Sequence, residues 1–472
     1  MSEFDLIIRN GKIATASDTM SCDIGIKDGK IAALGTSLTG AEQEIDAQDK
    51  WVLPGGIDSH CHMEEPMPEH LEMADDFYTA TRSAACGGTT TVIPFAKQIK
   101  GESLQAAVDE YHRRAQGKPV IDYAFHMIVT DPTAEVLEKE LPVLIENGYT
   151  SFKIYMTYDD LKLDDYQTLN TLAVARREGA MVMIHAENDD CITWLTEQLE
   201  AAGHTAPKFH SDSRPMLVER EATHRAITLA ELVDVPILIV HVSGREAIEQ
   251  IQWARNHGIK MYAETCPHYL VLTEDDLVQP GFEGAKCVCS PPPRNKANQQ
   301  VVWDGITSGV FQVFSSDHAP FSYNDENGKL AYGDKAPFKH IPNGIPGIET
   351  RMPVLFSEGV NKKRIDINKF VELTATNPAK LYGLYPRKGT IAVGSDADLA
   401  IWDADRDVII RNEDLHHNVD YTPYEGIAVR GWPETVLSRG EVVAANGEFT
   451  AEKGRGEFLQ CGRSDYASPK VH

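Results

Sequence analysis

A chain of 472 residues with 42% hydrophobic content can bury a large core, and its length predicts a main domain with a smaller one beside it. The balance of 45 basic against 71 acidic side chains, a formal charge of −26, argues against nucleic acid or an anionic membrane as partner. No apolar run approaches the roughly 18 residues of a membrane span, the opening Met1-Ser2-Glu3-Phe4-Asp5 lacks a basic and then apolar leader, and eight scattered cysteines show neither zinc-ribbon nor disulfide spacing, so a reduced, cytoplasmic protein is expected.

The first ~50 residues read as short strands punctuated by turn dipeptides. Leu6-Ile7-Ile8-Arg9 is followed by Asn10-Gly11, and Ile24-Gly25-Ile26-Lys27 by Asp28-Gly29. The same texture returns in Ala397 to Trp402, Val408-Ile409-Ile410 and Val442 to Ala445 with Asn446-Gly447, which predicts one small sheet domain built from both ends of the chain. Between them eight apolar runs alternate with helical stretches such as Ala134 to Asn147 and Asp165 to Glu178. The runs are Trp51–Leu53, Thr90–Ile93, Tyr123–Ile128, Ser151–Ile154, Val182–His185, Ile237–His241, Lys260–Ala263 and Gln312–Asp317. Eight such repeats predict a parallel (β/α)8 TIM-like barrel, with a doubly wound open sheet as the alternative. The expected division is 1–53 for the first part of a β-sandwich, 54–385 for the barrel, 386–455 for the rest of the sandwich, and 456–472 for a tail too poor in apolar residues to pack alone, expected at an interface between subunits.

The unusual polar residues fall at the ends of these runs. His60 and His62 follow the first, Lys153 lies in the fourth, His185 closes the fifth, His241 the sixth and Asp317 the eighth. All would project at the carboxyl-end mouth, where barrels of this kind keep their active sites. Residues i and i+2 of a strand face the same way, so His60 and His62 can reach one point in space, and Cys61 between them faces away. A single strand-end histidine is commonly a core residue, but four with an aspartate point to a transition-metal centre. Lys153 interrupts Phe152-Lys153-Ile154-Tyr155-Met156, where burial favours the neutral amine. Such an amine can add carbon dioxide, giving a carbamate with one oxygen for each of two metal ions; the other reading is a lysine paired to a barrel carboxylate.

With these motifs in place the chain resembles the cyclic amidohydrolases, and within them the dihydropyrimidinase and D-hydantoinase family, over essentially its whole length, including Gly389-Thr390-Ile391-Ala392-Val393-Gly394-Ser395-Asp396-Ala397-Asp398-Leu399. The resemblance implies that His60, His62 and Asp317 hold the more buried of two divalent ions, usually zinc, that His185 and His241 hold the more exposed one, and that carboxylated Lys153 bridges them. It also implies that Tyr158, otherwise readable as a rim aromatic, contacts the substrate carbonyl, and that main-chain groups of Ser290 and Asn343 hold the ureide. A metal-activated water would attack the ring amide, with Asp317 relaying its proton to the departing nitrogen. The expected substrates are small cyclic ureides, 5,6-dihydropyrimidines and hydantoins, opened to N-carbamoyl amino acids by a homo-oligomer, tetramer or dimer. The rival readings are an imidase or allantoinase-like amidase and a non-catalytic relative of the same fold. Glu65, in Met63-Glu64-Glu65-Pro66-Met67, and Lys162 put charges in segments that the resemblance places beside the exocyclic pocket, and predict a preference for small or polar ring substituents.

Overall fold

The computed structural model describes residues 2–469. Strands β1 (Phe4–Ala14), β2 (Thr19–Lys27) and β3 (Lys30–Gly35) form an antiparallel meander, β4 (Ala41–Asp46) runs parallel to β1, and β5 (Trp51–Pro54) also pairs with β1. Asp28-Gly29 makes the predicted hairpin turn, with φ of 50° and 72°. Asn10-Gly11 does not turn the chain. It sits inside β1 as a bulge, Asn10 at φ 56°, and the ladder with β2 slips there by an extra residue.

The run Trp51–Leu53, counted among the eight barrel runs although the division at 53/54 leaves it with the small sheet, belongs to that sheet as β5, and the first barrel strand is β6 (Gly56–Cys61). The chain passes from one sheet to the other at Gly55, where a Cβ would lie 2.1 Å from Thr90 Oγ1, so only glycine allows the crossing. The parallel barrel continues through β7 (Thr89–Lys97), β8 (Asp122–Tyr123), β9 (His126–Ile128), β10 (Ser151–Tyr155), β11 (Met181–His185), β12 (Ile237–Ile239), β13 (Met261–Thr265) and β14 (Val313–Phe314), with β8 beside β7 off the main path. The third predicted run is therefore two short strands, and the eighth shrinks to two residues. Alternation sorts the side chains. Ile57, Phe95, Met183, Leu238 and Val313 fill the interior, whereas Phe152, Ile154, Val182, Ile184 and Ile239 pack outward under the helices. Cys61 lies in the outward cluster, away from the mouth as the alternation predicts. The helix Asp165–Glu178 has its predicted bounds, capped by Asp164 and ended by left-handed Gly179, and the stretch from Ala134 becomes a π-turn at Val136–Glu140 leading into a helix at Leu141–Glu146.

No strand ladder joins β14 to β6; the barrel closes through a seam of single bonds. Asp317 N donates to His60 O (2.9 Å) and His62 N to His318 O (2.6 Å). Below them buried Arg351 donates to the carbonyls of Ile57 (3.2 Å) and Phe314 (2.7 Å), beside the buried Asp58 carboxylate at 3.7 Å. This seam brings Asp317 to the two histidines of β6. The chain then returns to the small sheet as β15 (Leu399–Ile409), β16 (Ala428–Ser438), β17 (Glu441–Ala445) and β18 (Glu448–Phe449). Lys388, buried between Asp122 (2.7 Å) and Asp398 (2.6 Å), ties sheet to barrel. The C-terminal tail packs on the chain's own barrel: Leu459 N donates to Tyr123 O and Cys461 N to Gly148 O, and Leu459, Cys461 and Ala467 join the apolar cluster that fills the barrel. The tail's last residues, 470–472, lie outside the described residues. All eight cysteines are free, and among the described residues no helix is long and apolar enough to cross a membrane.

Candidate metal centre

The six residues singled out as ligands converge at the barrel mouth. His60 lies within β6 and His62 just beyond it; Lys153 is the central residue of β10; His185 ends β11. His241 stands two residues past β12 and Asp317 three past β14. Both of these have left-handed backbone (φ 37° and 47°), as does Tyr158 (70°), a conformation that costs a non-glycine residue roughly 1–3 kcal/mol and is stored where surrounding structure over-determines it.

The donors meet closely. His60 Nε2 lies 2.8 Å from Lys153 Nζ and 3.2 Å from Asp317 Oδ1; His62 Nε2 lies 3.5 Å from the same oxygen; His241 Nε2 lies 2.9 Å from His185 Nδ1. Three of the imidazoles are braced from behind by buried carboxylates: His60 Nδ1 on Glu264 (2.5 Å), His62 Nδ1 on Glu65 (2.5 Å) and His185 Nε2 on Glu187 (2.7 Å). A ring N–H that donates to a carboxylate leaves the other nitrogen as a lone pair. The inward nitrogens of His60, His62 and His185 are then lone pairs gathered around Asp317, Lys153 and His241, a donor set of the kind that holds a transition-metal cation. The donor atoms of His60, His241 and Asp317 come within 4.8 Å of one another, a set that takes members from both of the expected ligand groups.

The electrostatics agree with a cationic centre. Burial pulls the His60 and His241 imidazoles well below their usual pKa and pulls Lys153 down as well, whereas Glu65 and Asp317 raise that of His62 against its burial. Lys153 Nζ lies between the rings of Phe95 (4.7 Å) and Tyr155 (4.8 Å), and among the described residues it forms no ion pair. Burial lifts the Glu264 carboxyl to about 8; positive charge at the mouth would favour its ionised form. For Asp317 burial is outweighed by the facing imidazoles, His60 first, which hold it well below the usual carboxylate range.

A cavity of about 350 Å³ opens above the ligands. Tyr158, Ser290 and Asn343 are all on its wall, with Asn343 Nδ2 donating to the Tyr158 hydroxyl at 3.2 Å. Arg214 stands 5.5 Å from the Tyr158 ring and donates to Glu187 at 2.9 Å, linking this tyrosine to the brace of His185. The rest of the lining is mixed: Met67, Leu71, Met73, Leu161, Phe321 and Ile341 are apolar, while Lys97, Asp160, Tyr332, Lys339 and His340 bring polar and charged groups to the same cavity.

The two charges expected to set specificity take other roles. Glu65 lines the cavity but is buried, and its carboxylate is hydrogen-bonded to His62 Nδ1 rather than left to solvent. Lys162 is absent from the cavity lining and pairs with Asp159 (2.7 Å) and Asp189, whose carboxylate also accepts from Tyr158 N (3.1 Å) and supports the tyrosine's left-handed turn. Sequence reasoning missed Glu187, Glu264, Asp58 and Arg351. Glu264 carries the signal that marked Lys153, a charge closing an apolar strand run, and Glu187 stands two residues beyond His185.

The comparisons with known proteins follow this geometry. The model of the amidohydrolase family matches residues 51–443. The chain is 47% identical to the D-hydantoinase of Ralstonia pickettii over 97% of its own length and 98% of the relative's, and 45% identical to the D-hydantoinase of Rhizobium radiobacter over 96% and 98%. Its fold superposes on the crystal structure of dihydropyrimidinase from Brevibacillus agri with a TM-score of 0.94, at 45% identity, over 97% of this chain and 99% of that one. The chain belongs to the D-hydantoinase and dihydropyrimidinase branch of the amidohydrolase family.

Proposed function

We propose that this protein opens cyclic ureides, 5,6-dihydropyrimidines and hydantoins, by hydrolysis to N-carbamoyl amino acids, at a centre of two divalent cations, zinc, held by His60, His62, His185, His241, Asp317 and a carboxylated Lys153. One observation carries the reading: the imidazoles of His60, His62 and His185, from two strands and each braced from behind by a carboxylate, converge with His241, Asp317 and a buried lysine that has no carboxylate partner at the floor of a ligand-sized cavity. The neutral Lys153 amine adds carbon dioxide and loses a proton, giving an anion that suits a bridging position. When bound, the cations supply Lewis acidity and make water a nucleophile near neutral pH. Asp317, already touching two of the imidazoles, accepts the proton of the attacking water and returns it to the ring nitrogen, without which the amide C–N bond does not break. Tyr158 donates its hydroxyl hydrogen to the developing oxyanion and is kept in place by Asn343 Nδ2. Main-chain groups of Ser290 and Asn343 hold the ureide, while Met67, Leu71 and Phe321 shield it from solvent. The same reading makes the protein a cytoplasmic homo-oligomer.

Elemental analysis after zinc-supplemented expression, with ring-opening assays on dihydrouracil, hydantoin, allantoin and succinimide, tests this reading. About two metal equivalents per chain and turnover of the first two substrates are expected. A folded preparation that binds no metal, with activity untouched by strong chelation, overturns it; turnover of only allantoin or succinimide replaces the substrate class.

A further inference from the structure

Lys329 is fully buried, and among the described residues no carboxylate pairs with it. Its ammonium group instead donates to two main-chain carbonyls, Pro342 O at 2.6 Å and Val288 O at 2.9 Å. Those carbonyls belong to two segments far apart in sequence. Val288 precedes Ser290 by two residues, and Pro342 directly precedes Asn343. A third bond, Gly344 N to Val288 O at 3.1 Å, runs between the same segments. Lys329 reaches them because its own loop is tightly folded: Lys329 N donates to Ser322 O at 2.8 Å, and at Gly328 a Cβ would lie 2.1 Å from that same oxygen. That loop also supplies Phe321 and Tyr332 to the cavity wall.

A buried lysine without a counter-ion is costly, and burial draws its pKa down to about 7. An apolar side chain would fill the space without that cost. What only an amine supplies here is two N–H donors on a long stem, in either protonation state, at the point where the two segments meet.

We propose that Lys329 is a positioning residue for substrate, fixing the separation and angle of the Ser290 and Asn343 main-chain groups between which the ureide is held. The inference rests on the reading of those two segments as the ureide site. Removing the clamp lets the segments part, which weakens substrate capture and leaves the metal ligands in place, since Lys329 contacts none of them.

The test uses the metal-loaded full chain with Lys329→Met, which keeps the stem and removes every donor, and Lys329→Gln, which keeps two donors on a shorter stem. Steady-state kinetics on hydantoin, metal content and melting temperature are measured for each, with N3-methylhydantoin as a second substrate for the unaltered protein. Lys329→Met is expected to raise KM about tenfold or more while kcat and metal content stay within about twofold, and Lys329→Gln to recover part of the loss. Should Lys329→Met not fold, Lys329→Ala, which also removes every donor, takes its place, and a KM equal to that of the unaltered protein in it overturns the proposal. Equal loss of kcat and metal, or an unchanged KM in folded Lys329→Met, also overturns it. Failure of the ureide reading has a separate signature: N3-methylhydantoin, whose ring nitrogen can no longer donate to main chain, would be turned over by the unaltered protein as well as hydantoin is.

Discussion

Replacing Glu65 with leucine separates two roles that its position beside the cavity allows. If the carboxylate were a rim charge, leucine would add apolar wall and improve a benzyl-substituted hydantoin, by the roughly 1–3 kcal/mol that one recovered contact is worth. The structure spends this carboxylate on His62 Nδ1 at 2.5 Å, with both side chains about nine-tenths buried. Losing a buried hydrogen bond to a charged group costs roughly 1.5–3 kcal/mol. A lost partner behind a ligating histidine typically weakens metal binding by about 10–100-fold, or roughly 1.4–2.7 kcal/mol. The two magnitudes agree, and both fall on the metal rather than on the ring substituent. In zinc-buffered titrations Glu65→Leu should therefore need about 10–100-fold more free zinc for half activity. At limiting zinc, kcat/KM for dihydrouracil and for 5-benzylhydantoin should fall by the same factor, and both should recover at saturating zinc. Selective improvement of the benzyl substrate with zinc affinity unchanged would refute the assignment.

Lys153→Ala should lose metal and activity together and regain part of both with short-chain carboxylic acids; an unmodified Lys153 in well-ordered density of a metal-loaded crystal would end the carbamate reading. Arg351→Met removes the cation from the barrel seam and leaves Asp58 buried without it, so urea unfolding should show a loss of about 3–5 kcal/mol; a change under about 1 kcal/mol would mean the seam does not depend on it. Burial lowers His126 and His210 to about 3 and His268 to about 4, all well below the ~6.5 of an unfolded histidine. Between those values the unfolded chain binds protons that the folded chain does not, so stability present above pH ~6.5 is lost as pH falls, by up to about 1.4 kcal/mol per pH unit for each group. Urea unfolding of metal-free protein that is flat from pH ~6.5 to ~4.5 would contradict this sign. Leu161, on the cavity wall, should contact an apolar ring substituent: Leu161→Ala should lower kcat/KM for 5-benzylhydantoin about tenfold or more while leaving dihydrouracil nearly unchanged, equal losses on both counting against Leu161 as wall.

The convergence of the six candidate residues was legible because burial makes an ionisable residue in an apolar strand conspicuous, and because a parallel barrel gathers the carboxyl ends of its strands at one mouth. Lys153, His185 and His241 needed only the runs around them and the fold class. The boundary between sheet and barrel was less legible, since Trp51–Leu53 and Gly56–Cys61 are both apolar and only the close approach of Gly55 to Thr90 shows where one sheet ends. Glu65 and Lys162 could not be sorted from the sequence, because a flexible charged side chain in a loop can face solvent, substrate or a neighbour, and the backbone decides. The braces show the limit most clearly. Glu65 follows His62 by 3 residues, Glu187 follows His185 by 2, and Glu264 lies 204 residues from His60, so one physical role has no common spacing to search for. His241 departs even from that rule. Its Nδ1 has no hydrogen-bond partner, and the ring is aimed instead through its backbone, by a left-handed φ and an N–H donated to Glu264 at 3.1 Å. Glu264 thus holds two of the candidate ligands at once, His60 by its ring and His241 by its main chain, and that coupling of β6 to β12 across the barrel exists only once the strands are closed.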